Sequence, residues 1–187
     1  MPIGDRVPVT DLIAAQDEDP VDLPIVAGAG RVRGLLLHKL IEEVLTGETP
    51  ADRPTLTARA VTLTEQLSQG SELTNRPAAE ELAATVNRTL SIPELAALRA
   101  GLMPEIGVFG TLSPDEGEFV SGRIDAVYFE RGEPRVAVDW KSDVDPSERD
   151  IEIHSSQLQA YMRTSGISRG VLVYMSTSRL CWLDRER

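Results

Sequence analysis

Residues 122–143 read GRIDAVYFERGEPRVAVDWKSD and contain two candidate β-strands joined by a short turn. The runs RIDAVYF and PRVAVDWKS are rich in the β-branched and aromatic residues that strands favour. Each run also carries an aspartate, Asp125 or Asp139, and Lys141 follows Asp139 by two positions, so those two side chains share a face of their strand. Charge on an inner strand is costly to bury unless it is compensated. These three charged residues therefore need an explanation beyond packing.

More than one explanation is open for these charges. A lone aspartate such as Asp125 is usually a solvated residue, and Asp139 with Lys141 could form a surface salt bridge worth ~0–1 kcal/mol. If the two strands form a hairpin, however, both carboxylates come close on one face. Adjacent carboxylates repel each other unless a cation lies between them. Mg²⁺ prefers oxygen ligands and binds phosphate oxygens, and a lysine beside it could orient the attacking water or neutralise charge on the phosphorus.

Length and composition limit the class of protein. The chain has 187 residues, of which 41% are hydrophobic and 4% aromatic, which suits one domain with an aliphatic core. No run approaches the ~20 apolar residues of a membrane span, and the acidic, proline-broken N-terminus does not resemble a signal peptide. We therefore expect a cytoplasmic protein without a membrane partner. Cys181 is the single cysteine, so no disulfide framework or cysteine-built metal cluster is predicted.

The net charge is −11, from 19 basic and 30 acidic residues. This sign disfavours tight autonomous binding of nucleic acid, because phosphate contacts usually require a basic surplus. Nuclease sites are a partial exception, since their carboxylates hold cations that then meet phosphate. The charge therefore leaves metal-dependent phosphodiester chemistry open.

The pattern along the chain predicts one α/β domain after an acidic lead-in. Residues 1–30, with four prolines, are interpreted as the extended lead-in, and the domain spans 31–187. It begins with a helix over 31–47 that Gly47 ends. A helical insert follows over 56–100 and is interpreted as packing or a cap. Three strands are then predicted at 105–110, 118–129 and 134–142.

A second part of the pattern follows the hairpin. Asp145 is predicted as the N-cap of a helix, with Pro146 in its first turn, and Gly166 is predicted to end it. A last strand is expected at 170–177. Because the helix crosses over between two strands, their pairing is predicted to be parallel, in a mixed sheet with helices packed on it.

Three further residues are candidate ligands. His38 lies at the edge of the apolar stripe of the first helix, where a histidine is more often a packed core residue than a ligand. Beside a site with two carboxylates it becomes a candidate third metal ligand. Glu42, one turn later, either supports it or faces water. Glu105, at the start of the first strand, is a candidate additional oxygen ligand.

The helix after the hairpin carries a polar pair in QLQAY (157–161). Gln157 and Tyr161 lie four residues apart on one face, and they could contact a DNA backbone or hold the lysine and the geometry of the site. Alternatively, Gln157 is solvated and Tyr161 half buried. His154 is expected on the surface.

Four ordered segments together resemble the PD-(D/E)XK nuclease superfamily, in the RecB-like branch that forms the C-terminal domain of RecBCD- and AddAB-type helicase–nucleases. The segments are RGLLLHKLIEE (33–43), GRIDAVYF (122–129), VDWKSDVDP (138–146) and QLQAY (157–161). Each is weak alone, but G-x-x-D followed by D-W-K and then Q-x-x-x-Y is specific. The resemblance implies a restriction-endonuclease-like mixed β-sheet flanked by helices.

The same resemblance implies a metal site. His38, Asp125 and Asp139 would bind Mg²⁺, or Mn²⁺, together with the backbone carbonyl of Trp140. Asp125, Asp139 and Lys141 would form the catalytic set, with Lys141 as the catalytic lysine. Metal-dependent hydrolysis of DNA phosphodiester bonds is the implied reaction.

The remaining implications concern substrate and partners. Gln157 and Tyr161 would belong to the motif that meets the substrate, DNA. The chain would be an exonuclease module that acts in DNA repair or in degradation of foreign DNA. A helicase motor, in the same or a separate chain, would be its partner, because this sequence has no Gly-x-x-x-x-Gly-Lys-Ser/Thr phosphate loop of its own.

Two departures from the family pattern stand out. Ile124 replaces the proline of the superfamily name before Asp125, and Cys181 alone cannot supply the four cysteines of iron–sulfur members, so no such cluster is expected. An alternative function is a non-catalytic module that binds DNA ends or a helicase partner. Such modules usually lack a site residue, whereas all are present here. An endonuclease or ribonuclease on the same site also remains open.

Overall fold

The computed structural model describes residues 29–68, 76–113 and 118–185. The described residues form five α-helices, a short 3-10 helix and five strands. The helices are α1 (Ala29–Thr46), α2 (Arg53–Ser68), α3 (Ala79–Leu90), α4 (Pro93–Leu98) and α5 (Glu148–Ser165), and the 3-10 turn is Arg99–Gly101. The strands are β1 (Leu102–Ser113), β2 (Glu118–Glu130), β3 (Glu133–Lys141), β4 (Arg169–Tyr174) and β5 (Arg179–Asp184).

The strands of the described residues build one mixed sheet in the order β1-β2-β3-β4-β5. Neighbours are antiparallel except β3 and β4, which are parallel and are joined by the crossover helix α5. The predicted mixed sheet and its parallel pair are therefore confirmed. The prediction that the strand at 170–177 is the last one is wrong, because β5 follows it and pairs along its outer side.

The β2–β3 hairpin decides where the aspartates lie. Its two-residue turn has both residues in the left-handed region, Arg131 at φ 55° and Gly132 at φ 84°, which suits the right-handed twist of the two strands. The register pairs Ala126 with Val138. The next positions along the two strands, Asp125 and Asp139, therefore face each other across the hairpin.

Helices cover both faces of the sheet. Because successive side chains alternate between faces, β3 contributes Val136, Val138 and Trp140 to one cluster and Ala137 to the other. On the first face these residues pack against helices α1 to α4, including Leu36, Leu40, Leu56, Leu82 and Leu95. On the second face α5 packs Leu158, Tyr161 and Met162 against Ile124, Val127 and Leu172.

The helical boundaries follow the sequence pattern with small corrections. Helix α1 begins at Ala29, two residues before its predicted start, and Gly47 ends it at φ 80°. The described parts of the insert, 56–68 and 76–100, are mainly helical, as predicted, although the first helix begins at Arg53. Residues 1–28 of the predicted lead-in lie outside the described residues, and none of the helices at 29–68, 76–113 or 118–185 is both long and apolar enough to cross a bilayer.

Helix α5 begins later than predicted. Ser147, not Asp145, is the N-cap, and its hydroxyl accepts a hydrogen bond from the Asp150 N–H. Asp150 Oδ2 in turn accepts from the Ser147 N–H at 2.9 Å, which completes a capping box. A serine with an acidic residue three positions later satisfies both of these N–H groups, so the helix starts where that pair occurs. Gly166 ends it in the left-handed region, as predicted.

Candidate active site

Asp125 lies at an irregularity shared by β1 and β2. Ile124 and Val127 pack in the same cluster although they are three positions apart, which regular alternation would put on opposite faces, so the alternation of β2 breaks at Asp125. Opposite it on β1, Glu105 has φ 61°, and the pairing between the two strands skips both residues. A left-handed backbone at a residue other than glycine is costly, and outside tight turns such strain clusters at functional sites. The break leaves Asp125 able to turn toward β3, where Oδ2 accepts a 2.7 Å hydrogen bond from the Trp140 N–H.

The other carboxylate oxygen of Asp125 meets the first helix. His38 Nδ1 on α1 lies 3.5 Å from Asp125 Oδ1. Burial opposes a charge on His38, but the Asp125 carboxylate outweighs it and raises the pKa of His38. Burial likewise opposes ionisation of Asp125, yet His38 and the Trp140 N–H outweigh it and lower the pKa of Asp125. The two groups therefore form an ion pair at the base of the hairpin.

The second pair lies on β3 itself. Lys141 Nζ is 3.0 Å from Asp139 Oδ2, and both side chains are buried. The ammonium is poorly aligned for a hydrogen bond, and among the described residues Asp139 Oδ2 has no hydrogen-bond partner. Burial raises the pKa of Asp139 to about 6 despite the nearby ammonium. Burial would lower the pKa of Lys141, but Asp139 outweighs it and raises that pKa.

These donors suit a divalent cation. Two facing carboxylates and an imidazole are oxygen and nitrogen ligands of the kind that Mg²⁺ and Mn²⁺ accept, and Asp139 offers a buried oxygen without a hydrogen bond. Within the described residues, no three histidine, cysteine or acidic side chains are already gathered at coordinating distance. In this conformation His38 and Lys141 neutralise the two carboxylates instead.

Two further carboxylates lie around the His38–Asp125 pair. Glu42 forms an ion pair at 3.0 Å with Lys39 on the same helix, and Glu105 pairs with Arg123. Burial, with the Asp125 and Glu42 carboxylates, raises the pKa of Glu105, against the effect of Arg123. Glu105 thus lies close enough to Asp125 and to Glu42 for their charges to act on it.

Gln157 and Tyr161 of α5 are both buried, at 3% and 4% exposure. The alternative expectation of a solvated glutamine and a half-buried tyrosine is therefore wrong. Tyr161 lies against β2 at Gly122, where an added Cβ would approach the Tyr161 hydroxyl oxygen to 2.5 Å. The glycine of G-x-x-D thus leaves room for the tyrosine of Q-x-x-x-Y. This placement fits a role in holding the site geometry better than direct contact with DNA.

Sequence reasoning missed the pair of His154 and Tyr174. His154 was expected on the surface, but it is half buried, with Nδ1 3.2 Å from the Tyr174 hydroxyl oxygen. Burial and the Lys141 charge lower the pKa of His154. Burial is also the main cause that raises the pKa of Tyr174 to about 12. Tyr174 pairs with Lys141 in the parallel register of β3 and β4. The crossover helix predicts that these two strands are parallel neighbours, and this was the signal in the sequence that Tyr174 lies near the lysine.

Comparisons with known proteins bear on these residues. The sequence model of the PD-(D/E)XK nuclease superfamily matches residues 18–164. A search of curated proteins found no match. Solved structures that match include one described as "Crystal structure of SSO0001", which is 18% identical, with 83% of this chain and 78% of that chain covered and a TM-score of 0.38. The superfamily match contains the four motifs, and the mixed sheet with flanking helices is the restriction-endonuclease-like fold. The chain belongs to the PD-(D/E)XK nuclease superfamily.

Proposed function

We propose that this chain is a RecB-like, metal-dependent deoxyribonuclease that removes nucleotides from DNA ends. Superfamily membership supports nuclease activity in general. The observation that carries the specific proposal is the convergence of His38 of α1 and Asp125 of β2 with Asp139 and Lys141 at the end of β3. Two neighbouring carboxylates, one buried and one partly buried, need cations beside them, and phosphodiester hydrolysis needs cations as well.

The metal ligands in this proposal are the side chains of His38, Asp125 and Asp139, with the backbone carbonyl of Trp140. Mg²⁺ or Mn²⁺ bound there supplies Lewis acidity toward phosphate and a water of lowered pKa. The Trp140 N–H bond fixes the rotamer of Asp125, so one carboxylate is oriented before any ligand arrives. Glu105 and Glu42 add negative charge at the rim, where they favour a cation.

Lys141 is the cationic group of the proposed site. Its ammonium is buried, and Asp139 raises its pKa, so it stays protonated in this environment. A desolvated ammonium interacts with developing negative charge more strongly than one in water. Lys141 can therefore orient the attacking water or hold charge that grows on the phosphorus. Asp139 keeps the lysine directed into the site.

A helicase partner is part of the proposal, and so is a cellular role in DNA repair in the cytoplasm. The net charge of −11 supports the partner, because weak intrinsic affinity for DNA does no harm when a motor delivers the strand. A non-catalytic DNA-end module is the second candidate. It is favoured by the neutralisation of both carboxylates by His38 and Lys141 in this conformation.

Loss of label from end-labelled linear DNA, and nicking of unlabelled closed circular DNA followed on a gel, test the proposal. Wild type and Lys141→Ala would be incubated with linear single-stranded, linear double-stranded and closed circular DNA, in Mg²⁺ or Mn²⁺ and with an EDTA control. We expect metal-dependent loss of label from linear DNA only. Lys141→Ala should lower the rate by at least about 10²-fold, since it removes charge stabilisation at the phosphate.

Each contrary result has a defined meaning. Cleavage of the circle would replace the exonuclease by an endonuclease. Equal activity of Lys141→Ala, with its fold verified by circular dichroism, would remove the lysine from the mechanism. No cleavage by a folded wild type would favour the non-catalytic module.

A further inference from the structure

An arginine of the first helix holds the end of the strand that carries Asp139 and Lys141. Arg33 Nη1 donates to the Ser142 carbonyl oxygen at 3.1 Å and to Ser176 Oγ at 3.1 Å. Ser176 Oγ donates to the same Ser142 carbonyl at 2.9 Å. Ser142 directly follows Lys141, and Ser176 lies just beyond β4. Two donors therefore fix the peptide group that ends β3, and both depend on one guanidinium.

The opposite edge of that guanidinium is held by the helical insert. Arg33 Nη2 lies 2.7 Å from Glu81 Oε1 and Nε lies 3.3 Å from Oε2, which is the two-pronged geometry of a strong arginine–carboxylate pair. Thr85 also donates to Glu81 Oε1 at 2.9 Å. Burial opposes ionisation of Glu81, but Arg33 and Thr85 outweigh it and lower its pKa. Glu81 lies on α3, so the insert orients the arginine.

Two further contacts bring the helices close to the same strand ends. At Gly34, an added Cβ would lie 2.9 Å from Ser142 Oγ, so the Ser142 side chain would have to move and the glycine allows α1 to approach closely. Arg88 of α3 reaches the Met175 carbonyl oxygen at 3.4 Å. The Met175 N–H donates to the Lys141 carbonyl oxygen at 2.9 Å, which ties the ends of β3 and β4 together.

We propose that Arg33, held by Glu81, is a positioning residue for Lys141. This inference rests on the proposed nuclease function and deepens it, because it gives the helical insert a role in the site. The Arg33 clamp, defined as Arg33, Glu81, Ser142 and Ser176, fixes the backbone next to the lysine. His38 follows Arg33 on α1 by five residues, about 7.5 Å along the axis. One helix thus holds the metal-ligand side and the lysine side of the site in register.

A matched bridge elsewhere in the helical layer provides the control. Arg59 of α2 donates to Glu43 of α1 at 2.8 and 2.6 Å, the same two-pronged geometry, but no bond that the structure describes for it reaches a strand end. Arg59→Ala should therefore lower the melting temperature without disturbing β3. Arg33→Ala removes the clamp, and Arg33→Lys keeps the charge but cannot span Glu81 and Ser142 together. Glu81→Gln leaves the arginine present but less firmly held.

The test has two readouts. The first readout is an exchange ratio, measured in the metal-free protein. It is the hydrogen-exchange rate of the Met175 amide divided by the rate of the buried Leu172 amide in the same variant, and it reports local opening of the strand end. With linear DNA and Mg²⁺, kcat and KM report the chemistry. Arg33→Ala should raise the exchange ratio roughly tenfold and lower kcat about 10- to 100-fold with little change in KM, because it moves the lysine rather than a DNA contact. Arg33→Lys and Glu81→Gln should fall between, and Arg59→Ala should match wild type in both readouts.

Other outcomes overturn the inference. If Arg33→Ala lowers the melting temperature as Arg59→Ala does while kcat is unchanged, the clamp is structural only, whatever the exchange ratio. An unchanged exchange ratio would show that Arg33 does not fix the strand end. A folded wild type without nuclease activity would instead refute the proposed function, and the exchange ratio alone would still decide whether Arg33 holds the end of β3.

Discussion

Two ion pairs, the partly buried His38–Asp125 and the buried Asp139–Lys141, set the electrostatics of the site at the scale of single residues. Each carboxylate has an internal cation beside it. Removal of one partner from a buried pair leaves an uncompensated charge, which costs more than the pair contributes. The pairs therefore keep the site charged but balanced, and a change at any one of the four residues alters the protonation of the others.

Gly122 gives a prediction at this scale. A Cβ at this position would lie 2.5 Å from the Tyr161 hydroxyl oxygen and 2.8 Å from its ring, so the tyrosine would have to move. Gly122→Ala should lower the free energy of unfolding by about 1–3 kcal/mol, as overpacking does, and should also reduce cleavage, because Asp125 follows three residues later. Urea unfolding and the linear-DNA assay measure the two effects.

A second variant distinguishes the cause of that loss. Tyr161→Phe removes the closest atom, so the double variant Gly122→Ala with Tyr161→Phe should regain part of the lost stability. If the losses of the two single variants add strictly, Gly122 is required for its backbone conformation and not for the space that it leaves to Tyr161.

Single residues could be named from the sequence, but their partners could not. Asp125, Asp139 and Lys141 stood out because charge interrupts strands that are otherwise apolar or aromatic. The partner of Asp125 lies 87 residues away on α1, and no local pattern identifies it. His154 looked like an ordinary surface residue because its partner, Tyr174, is supplied by the parallel register of β3 and β4.

At the scale of elements, helix α1 joins the other helices to the sheet. It bears His38 for the site and Arg33 for the strand ends. Its Glu43 is buried and accepts from Arg59 of α2 and from Thr49 Oγ1 at 2.7 Å. A carboxylate with three hydrogen bonds in the helical layer fixes how α1 and α2 pack against each other.

This bridge predicts a pH dependence of stability. The Arg59 hydrogen bonds are the main cause that lowers the pKa of Glu43, against burial. A carboxyl group whose pKa is lower in the folded state stabilises the protein above its unfolded pKa of about 4.3 and loses that contribution as the pH falls through the folded pKa. Glu43→Gln should therefore lose about 1–3 kcal/mol at pH 7, as hydrogen bonds to a charged group are removed.

The difference between wild type and Glu43→Gln should shrink as the pH falls below about 4.3. Urea unfolding at several pH values from neutral to acid checks this. A difference that stays constant with pH would show that lost packing, not lost charge, explains the effect.

Elements were predictable where one physical rule dominated. The hairpin followed from strand residues on both sides of a turn that ends in Gly132, and the parallel pair followed from the crossover helix. Strand β5 was missed because neither of its faces is well covered, so RLCWLD shows no clear alternation. The start of α5 was misplaced because Asp145-Pro146 and Ser147 offer competing caps, and only the reciprocal bond with Asp150 decides between them.

At the scale of the whole molecule, the charge and the site make opposite demands. The site needs to receive a polyanion, yet the chain carries a net charge of −11. Lys39 and Arg123, the basic side chains beside His38 and Asp125, are each paired with a glutamate. These two cations are therefore partly neutralised and contribute less to the release of counterions from DNA, which is the main source of nonspecific affinity. This balance suits a module that is supplied with DNA by another protein.

DNA binding by the isolated chain should accordingly be weak and sensitive to salt. In EDTA, where the proposed reaction cannot proceed, fluorescence anisotropy with labelled single- and double-stranded DNA should give a Kd no tighter than about 1 μM at physiological salt, the range of nonspecific binding. Affinity should fall at least about tenfold between 50 and 200 mM salt, since only phosphate contacts are available. Ca²⁺ supplied in place of the EDTA should tighten binding if Asp125 and Asp139 hold a cation that meets phosphate, and Asp139→Asn should remove that gain. Nanomolar binding that does not change with salt would show that the chain reads DNA by itself and has no need of a motor to deliver it.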